Sequence, residues 1–111
     1  MTEVRRAEQL ARYELLLEGE LVGHADYLLA EGAVVLTHVE TDPARAGQGL
    51  ASTLVEGVLL DLRSRGLQVV PQCSFAAGYI SKNPQWQDLL VEPGQLSRGM
   101  SEPSARVGQI T

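Results

Sequence analysis

Polar and apolar positions change their period partway along the chain. In RYELLLE, residues 12 to 18, Tyr13, Leu15 and Leu17 alternate with Glu14, Leu16 and Glu18, which predicts a half-buried strand, and Gly19 permits a turn after it. LVGHADYLL (21–29) and AVVLTHVE (33–40) are two further β-rich runs separated by Ala30, Glu31 and Gly32. An antiparallel hairpin is the economical arrangement, and the first half reads as a meander. From Leu50 the period lengthens: Leu50, Leu54, Val58 and Leu62 step by four, with Ala51, Val55 and Leu59 beside them, giving the broad apolar stripe of a helix. Asp61 and Arg65 are spaced for an ion pair on one helix face, and Gly66 is placed to end the helix in a left-handed conformation.

LQVVP (67–71) follows at once, so strand, helix and strand form a βαβ unit whose two strands should be parallel neighbours. A short helix is expected from Phe75 to Lys82, broken at Asn83 and Pro84, with QWQDLLV returning apolar surface to the core. The predicted fold is α/β (α+β): a mixed sheet made of an antiparallel meander, then the βαβ unit, then a short C-terminal helix. Residues 1–91 read as one domain. The Gly-, Ser- and Pro-rich stretch 92–111 reads as a disordered tail.

Composition narrows the function. At 111 residues and 44% hydrophobic, the chain has room for one modest core. Nine Lys and Arg against fourteen Asp and Glu give a formal charge of -5, which repels phosphate backbones and anionic lipid surfaces, so neither nucleic acid nor membrane is expected as a partner. The single cysteine, Cys73, has no internal bridge partner, and the N-terminal residues have no signal-like apolar run. No stretch approaches the roughly 20 apolar residues that span a bilayer. A soluble protein of a reducing cytoplasm fits these features.

Candidate chemistry concentrates in ETDPARAGQGLAS, residues 40 to 52, where Gly47 and Gly49 stand at the mouth of the predicted helix. Helix N-termini carry unpaired N–H groups and partial positive charge, and glycine removes the Cβ that would keep an anion away. The alternative is that these glycines only turn a tight corner. A P-loop needs Lys and Ser or Thr after its last glycine, whereas Leu50 and Ala51 follow Gly49. A dinucleotide fingerprint needs a third glycine where Ser52 stands, and no ribose-binding acid lies near Gln68. A pyrophosphate gripped by backbone alone, as in coenzyme A, remains.

ARAGQGLA resembles the acyl-CoA loop of the GNAT acetyltransferase superfamily, Q/R-x-x-G-x-G/A, with Gly49 and Ala51 at its last two places and Ala46 at its first, Arg45 lying one residue earlier. A second set of matches, His38, Glu40 and Pro43 followed by CSFAAGYISKNP with Cys73, Phe75, Tyr79, Asn83 and Pro84, resembles the small single-domain GNAT-like subfamily that lacks the usual first helices. Asp42 stands where that subfamily typically has its proline. The resemblance, over residues 12 to 90, implies a truncated GNAT-like fold. It also implies an N-acetyltransferase that takes acetyl-CoA as donor and an amine as acceptor. By the same resemblance the CoA contacts fall on Thr41, Arg45, Ala46, Gly47, Gln48, Gly49, Leu50, Ala51 and Asn83, and the Thr41 N–H is aimed at the thioester oxygen.

Acetyl transfer needs a neutral amine, a polarised carbonyl and a proton for the departing thiolate. Glu40, at the end of the strand entering the loop, can take the amine proton, directly or through water, or can be a solvated strand-end acid. His38 shares its strand face and can relay that proton, or be structural. Cys73 follows the parallel strand and so converges on the same sheet end; it can protonate the sulfur, carry the acetyl group, or pack. Tyr79 is the other candidate acid, with packing against Phe75 as its alternative role. Arg45 and Lys82 are the available cations for CoA phosphates.

His24, Asp26, His38 and Glu40 are metal-ligand types on neighbouring strands. The shortest hairpin turn sets His24 opposite Val39 and the two histidines on opposite faces, which a one-residue slip would reverse. No metal is expected. Trp86 reads as core or as a stacking platform. A non-catalytic acyl-CoA-binding regulatory module and a partner-binding domain without cofactor are the rival readings; oligomeric state and acceptor identity are not legible.

Overall fold

The computed structural model describes residues 1–91. The expectation for 92–111 lies outside the described residues. One five-stranded sheet runs in the order β1 to β5: β1 Thr2–Ala7, β2 Arg12–Leu17, β3 Glu20–Ala30, β4 Ala33–Thr41 and β5 Gln68–Pro71. The first four strands are antiparallel and β4 and β5 are parallel, joined by α1 Leu50–Ser64; α2 Ser74–Lys82 and a short 3-10 turn at Pro84–Leu89 follow. This is the mixed sheet that the two periodicities predict. Among the described residues no helix is long and apolar enough to cross a membrane.

The helices share one core with one face of the sheet. Leu54, Val55, Val58, Leu59 and Leu62 of α1 are fully buried against Tyr13, Leu15, Val34, Leu36 and Val69, and Ala76, Ile80, Trp86 and Leu89 extend the same cluster. The i, i+4 stripe is thus a helix–sheet interface, where burial of apolar area supplies most of the stability. Gly66 stops α1 with φ of +70°, and Arg65 Nε donates to Asp61 Oδ2 at 2.8 Å. The Tyr13 hydroxyl donates to the same Asp61 Oδ2 at 2.6 Å, tying β2 to the last turn of the helix. Burial first, then the negative charge of Asp61, raises the Tyr13 phenol far above its ordinary range.

Two differences from the sequence expectation concern the sheet. TEVRRA forms an edge strand that periodicity does not reveal, because Val4 is its one large apolar side chain; Val4 packs onto α1 at Gly57, where a Cβ would meet Val4 Cγ2 at 2.5 Å. With β1 in place, β2 is buried on both faces rather than half-buried. Glu14 lies beneath Arg5 and Arg12, accepting from Arg12 Nη2 at 2.8 Å and from Arg5 Nη2 at 3.4 Å, and the Arg12 hydrogen bonds hold its carboxyl below the usual carboxylate range.

The second difference is a correction of register. Ala30↔Ala33 begins the β3–β4 ladder as the tight turn requires, but Tyr27↔Leu36 is followed by Asp26↔His38, leaving Thr37 as an extra residue. This β-bulge shifts everything beyond it by one place. His24 therefore pairs with Glu40, not Val39, and the two histidines share the sheet face opposite the helices.

Candidate functional site

The site forms where β4 ends. Pairing with β5 stops at Leu36↔Pro71, while β4 continues to Thr41, so the two parallel strands part company over the last residues of β4. The Leu36 carbonyl closes the junction by accepting from Gln72 N–H at 2.9 Å and Cys73 N–H at 3.1 Å. On the other edge, Asp42 N–H donates to Val22 O at 2.9 Å. By the alternation of an extended strand, the N–H groups of Val39 and Thr41 then face the β5 side, where pairing has ended. Gly23 lets the end of β4 lie close: a Cβ there would stand 3.0 Å from both Glu40 O and Thr41 Cγ2.

Asp42 and Pro43 shape the next step. The Asp42 carboxylate accepts from Ala44 N–H at 3.0 Å and starts the 3-10 turn Pro43–Arg45, with Pro43 supplying the fixed φ of a first helical position. The chain then passes Gly47 (φ +87°) and Gly49 (φ +71°), both left-handed, and enters α1 with Gly49 as a cap that offers no side chain. The first backbone donor of the helix is Thr53 N–H, to Gly49 O at 3.1 Å. Among the described residues the N–H groups from Gly47 through Ser52 have no protein acceptor, and nothing lies within 4 Å of where a Cβ at either glycine would sit. A row of free donors at the positive end of a helix, with open space above it, fits a diphosphate.

A cavity of about 380 Å³ adjoins this helix mouth, lined by Ser52 of α1, by Ser74, Phe75, Gly78, Tyr79 and Lys82 of α2, and by Asn83. Lys82 and Asn83, two of the residues offered by the sequence as CoA contacts, are both on its wall, and Asn83 Nδ2 donates to Tyr79 O at 2.7 Å, closing the end of α2. Tyr79 is half-buried. Desolvation, then the negative charge of Glu56, raises its phenol, partly offset by the neighbouring indole of Trp86. A larger depression of about 540 Å³ at the far end, between β1 and the end of α1, is lined by Arg6, Glu8, Asp61 and Arg65 among others. Its charges are already matched as Arg6 with Glu8 and Arg65 with Asp61.

The remaining candidates fall in two groups. Glu40 and His38 are exposed on the open sheet face and meet, Nε2 to Oε1, at 3.2 Å; His24 Nε2 is 3.9 Å from the same oxygen. Cys73 is half-buried at the N-terminal cap of α2, its backbone N–H held by Leu36. Arg45 is not a free cation: Nη2 donates to Glu20 Oε1 at 2.8 Å and Nε lies 3.7 Å from Asp42. It braces the loop against β3. Although the bulge brings the histidines to one face, no group of three or more His, Cys, Asp or Glu among the described residues is placed to hold a metal ion. Ser52, Gly23 and Glu56 escape sequence reasoning, since no motif marks them and their roles depend on which elements become neighbours.

Residues 12–89 match the family model described as GCN5-related N-acetyl-transferase. No match was found among curated proteins. Similar solved structures include a GCN5-like protein from Staphylococcus aureus determined by NMR, with 21% identity, a TM-score of 0.62, and coverage of 80% of this chain and 87% of that one. The ribosomal-protein-S18-alanine N-acetyltransferase from Escherichia coli has 20% identity, a TM-score of 0.56, and coverage of 69% and 53%, so this chain spans about half of it. A ribosomal-protein-alanine N-acetyltransferase from Brucella melitensis biovar Abortus 2308 has 16% identity, a TM-score of 0.52, and coverage of 86% and 69%.

Proposed function

The chain belongs to the GCN5-related N-acetyltransferase family, and from that premise we propose that it moves an acetyl group from acetyl-CoA to an amine, with its residues divided as follows. The amides from Gly47 through Ser52 grip the pyrophosphate, so Gln48, Leu50 and Ala51 contribute backbone rather than side chains. The cavity beside them, with Lys82 and Asn83 on its wall, receives more of the CoA arm. The thioester lies along the edge of β4 that β5 leaves free, with the Thr41 N–H as donor to the carbonyl oxygen. The observation that carries this reading is the run of amides without protein acceptors at a helix mouth opened by two left-handed glycines.

The amine nitrogen attacks the thioester carbon; the new C–N bond forms, the C–S bond breaks, and one proton must leave nitrogen while another reaches sulfur. Glu40 is the acceptor of the amine proton, with His38 hydrogen-bonded to it. Tyr79 is the donor to sulfur: it lines the cavity, and its raised phenol keeps its proton at neutral pH. Cys73 at the cap of α2 is the alternative donor. CoA release from acetyl-CoA with a panel of amines tests this scheme, using the wild type, Glu40→Gln, Cys73→Ala and Tyr79→Phe. The expected result is that Glu40→Gln and Tyr79→Phe each lower turnover by about 100-fold or more while CoA still binds, and that Gly49→Val abolishes binding. A wild type that binds CoA but releases none with any amine would favour the binding-module reading.

A further inference from the structure

One face of α2 leaves a gap that the fold does not use. Ala76 and Ile80 turn into the core, while Phe75, Gly78 and Lys82, at i, i+3 and i+7, form a strip on the wall of the 380 Å³ cavity. Half-buried Tyr79 stands on the row between the two. Gly78 lies inside the helix, where glycine is among the poorest helix formers. Neither structural reason for a glycine applies to it. Its φ is not positive, and nothing lies within 4 Å of where a Cβ would sit, in contrast to Gly57, whose hollow is filled by Val4. Phe75 borders the open space and is 40% exposed. Lys82, the one lysine of the chain, ends the strip. Every arginine among the described residues stands within ion-pair distance of a carboxylate, and Lys82 does not.

We propose that this strip is a nucleotide slot, and that Gly78 is the specificity-determining residue by which the protein takes its acetyl group from CoA rather than from a phosphopantetheine arm borne on a carrier protein. The inference rests on the acetyltransferase reading and on a diphosphate at the amides of Gly47 through Ser52. CoA leaves that diphosphate in two directions. Its pantetheine arm runs past Tyr79 to the free edge of β4, so its adenosine 3′-phosphate takes the other direction. The cavity shares Ser52 with the run of amides, which brings the strip within reach of that second branch. An adenine laid over the bare backbone of Gly78 stacks on the Phe75 ring, and the ribose phosphate meets the unpaired charge of Lys82. A carrier-borne arm offers the same thioester and one phosphate but nothing that fills the slot. The adenosine contacts therefore supply the discrimination.

Isothermal calorimetry with CoA and with 4′-phosphopantetheine, which lacks the nucleotide, tests this on the wild type, Gly78→Leu and Phe75→Ala. The wild type should bind CoA about tenfold or more tighter than 4′-phosphopantetheine. Leucine is a better helix former than glycine, so Gly78→Leu should melt no lower than the wild type. It should weaken CoA about tenfold or more and leave 4′-phosphopantetheine within about twofold, and Phe75→Ala should weaken CoA alone by about fivefold or more. Lys82→Ala should weaken CoA while leaving 3′-dephospho-CoA within about twofold. A Gly78→Leu protein that binds CoA as the wild type does would overturn the proposal. Equal loss of both ligands would overturn it too, because the strip would then hold the pantetheine arm. So would a Gly78→Leu protein that melts below the wild type, since the space would then serve packing. A wild type that binds neither ligand fails the acetyltransferase reading itself, whereas one that binds both equally fails this inference alone.

Discussion

Gly57 stands in the middle of α1, where alanine is intrinsically favoured over glycine by about 1 kcal/mol. A Cβ at that position would lie 2.5 Å from Val4 Cγ2 and 2.7 Å from Val4 Cβ, so helix and edge strand meet backbone to side chain. Overpacking of this kind costs about 1–3 kcal/mol, and with the propensity gain set against a mid-range value, Gly57→Ala should be destabilising by about 1 kcal/mol. Val4→Gly removes both close contacts. In that background Gly57→Ala should stabilise by about 1 kcal/mol, since only the propensity gain remains, and the resulting coupling of about 2 kcal/mol lies in the range for touching residues. Urea unfolding of the four proteins, followed by far-ultraviolet circular dichroism, measures the cycle; at this size 1 kcal/mol corresponds to about 4–8 °C in Tm. A Gly57→Ala protein more stable than its parent would refute the reasoning, because β1 would then yield to the methyl group and could not be a docked strand.

Three further outcomes follow from the same packing. Glu14 has its carboxyl pKa lowered by the Arg12 hydrogen bonds, so its contribution to stability is present above the unfolded carboxylate pKa and is lost as pH falls through the lower folded value. Chemical unfolding of the wild type should show stability falling below about pH 4.5, and Glu14→Gln should flatten that loss. Asp61→Ala leaves the buried Tyr13 hydroxyl without its acceptor and should cost about 1–3 kcal/mol in urea unfolding, whereas Arg65→Ala, which removes an exposed partner of the same carboxylate, should cost under about 1 kcal/mol. Arg45→Ala should weaken CoA affinity less than Gly49→Val does, in isothermal calorimetry, because Arg45 braces the loop through Glu20 rather than facing it as a free cation.

Elements whose own residues carry a period were legible in the sequence. The stripe of Leu50, Leu54, Val58 and Leu62 and the short run LQVVP defined the βαβ unit to within a residue or two, and the glycines at 47 and 49 marked the loop that the left-handed φ values now explain. What escaped depends on contacts between segments. β1 carries Val4 and little else, and has a place only because Gly57 leaves a hollow on the helix. The extra residue Thr37 has no sequence signature, yet it decides which face His38 and Glu40 occupy. At the site, Tyr79 and Cys73 were visible as chemistry-bearing residues, but the pairing of Arg45 with Glu20 arises from a distant strand and loop folding against one another.

Acetyl transfer as proposed requires the main-chain N–H groups between Gly47 and Ser52 to receive the CoA pyrophosphate. Titrating ¹⁵N-labelled protein with CoA and following the amide spectrum tests it without any need for an acceptor substrate. The largest shift changes and the strongest slowing of solvent exchange should fall on Gly47, Gly49 and the first turn of α1. Saturable binding that leaves those amides unchanged, with the response at the Arg6 and Arg65 depression or elsewhere, would contradict it.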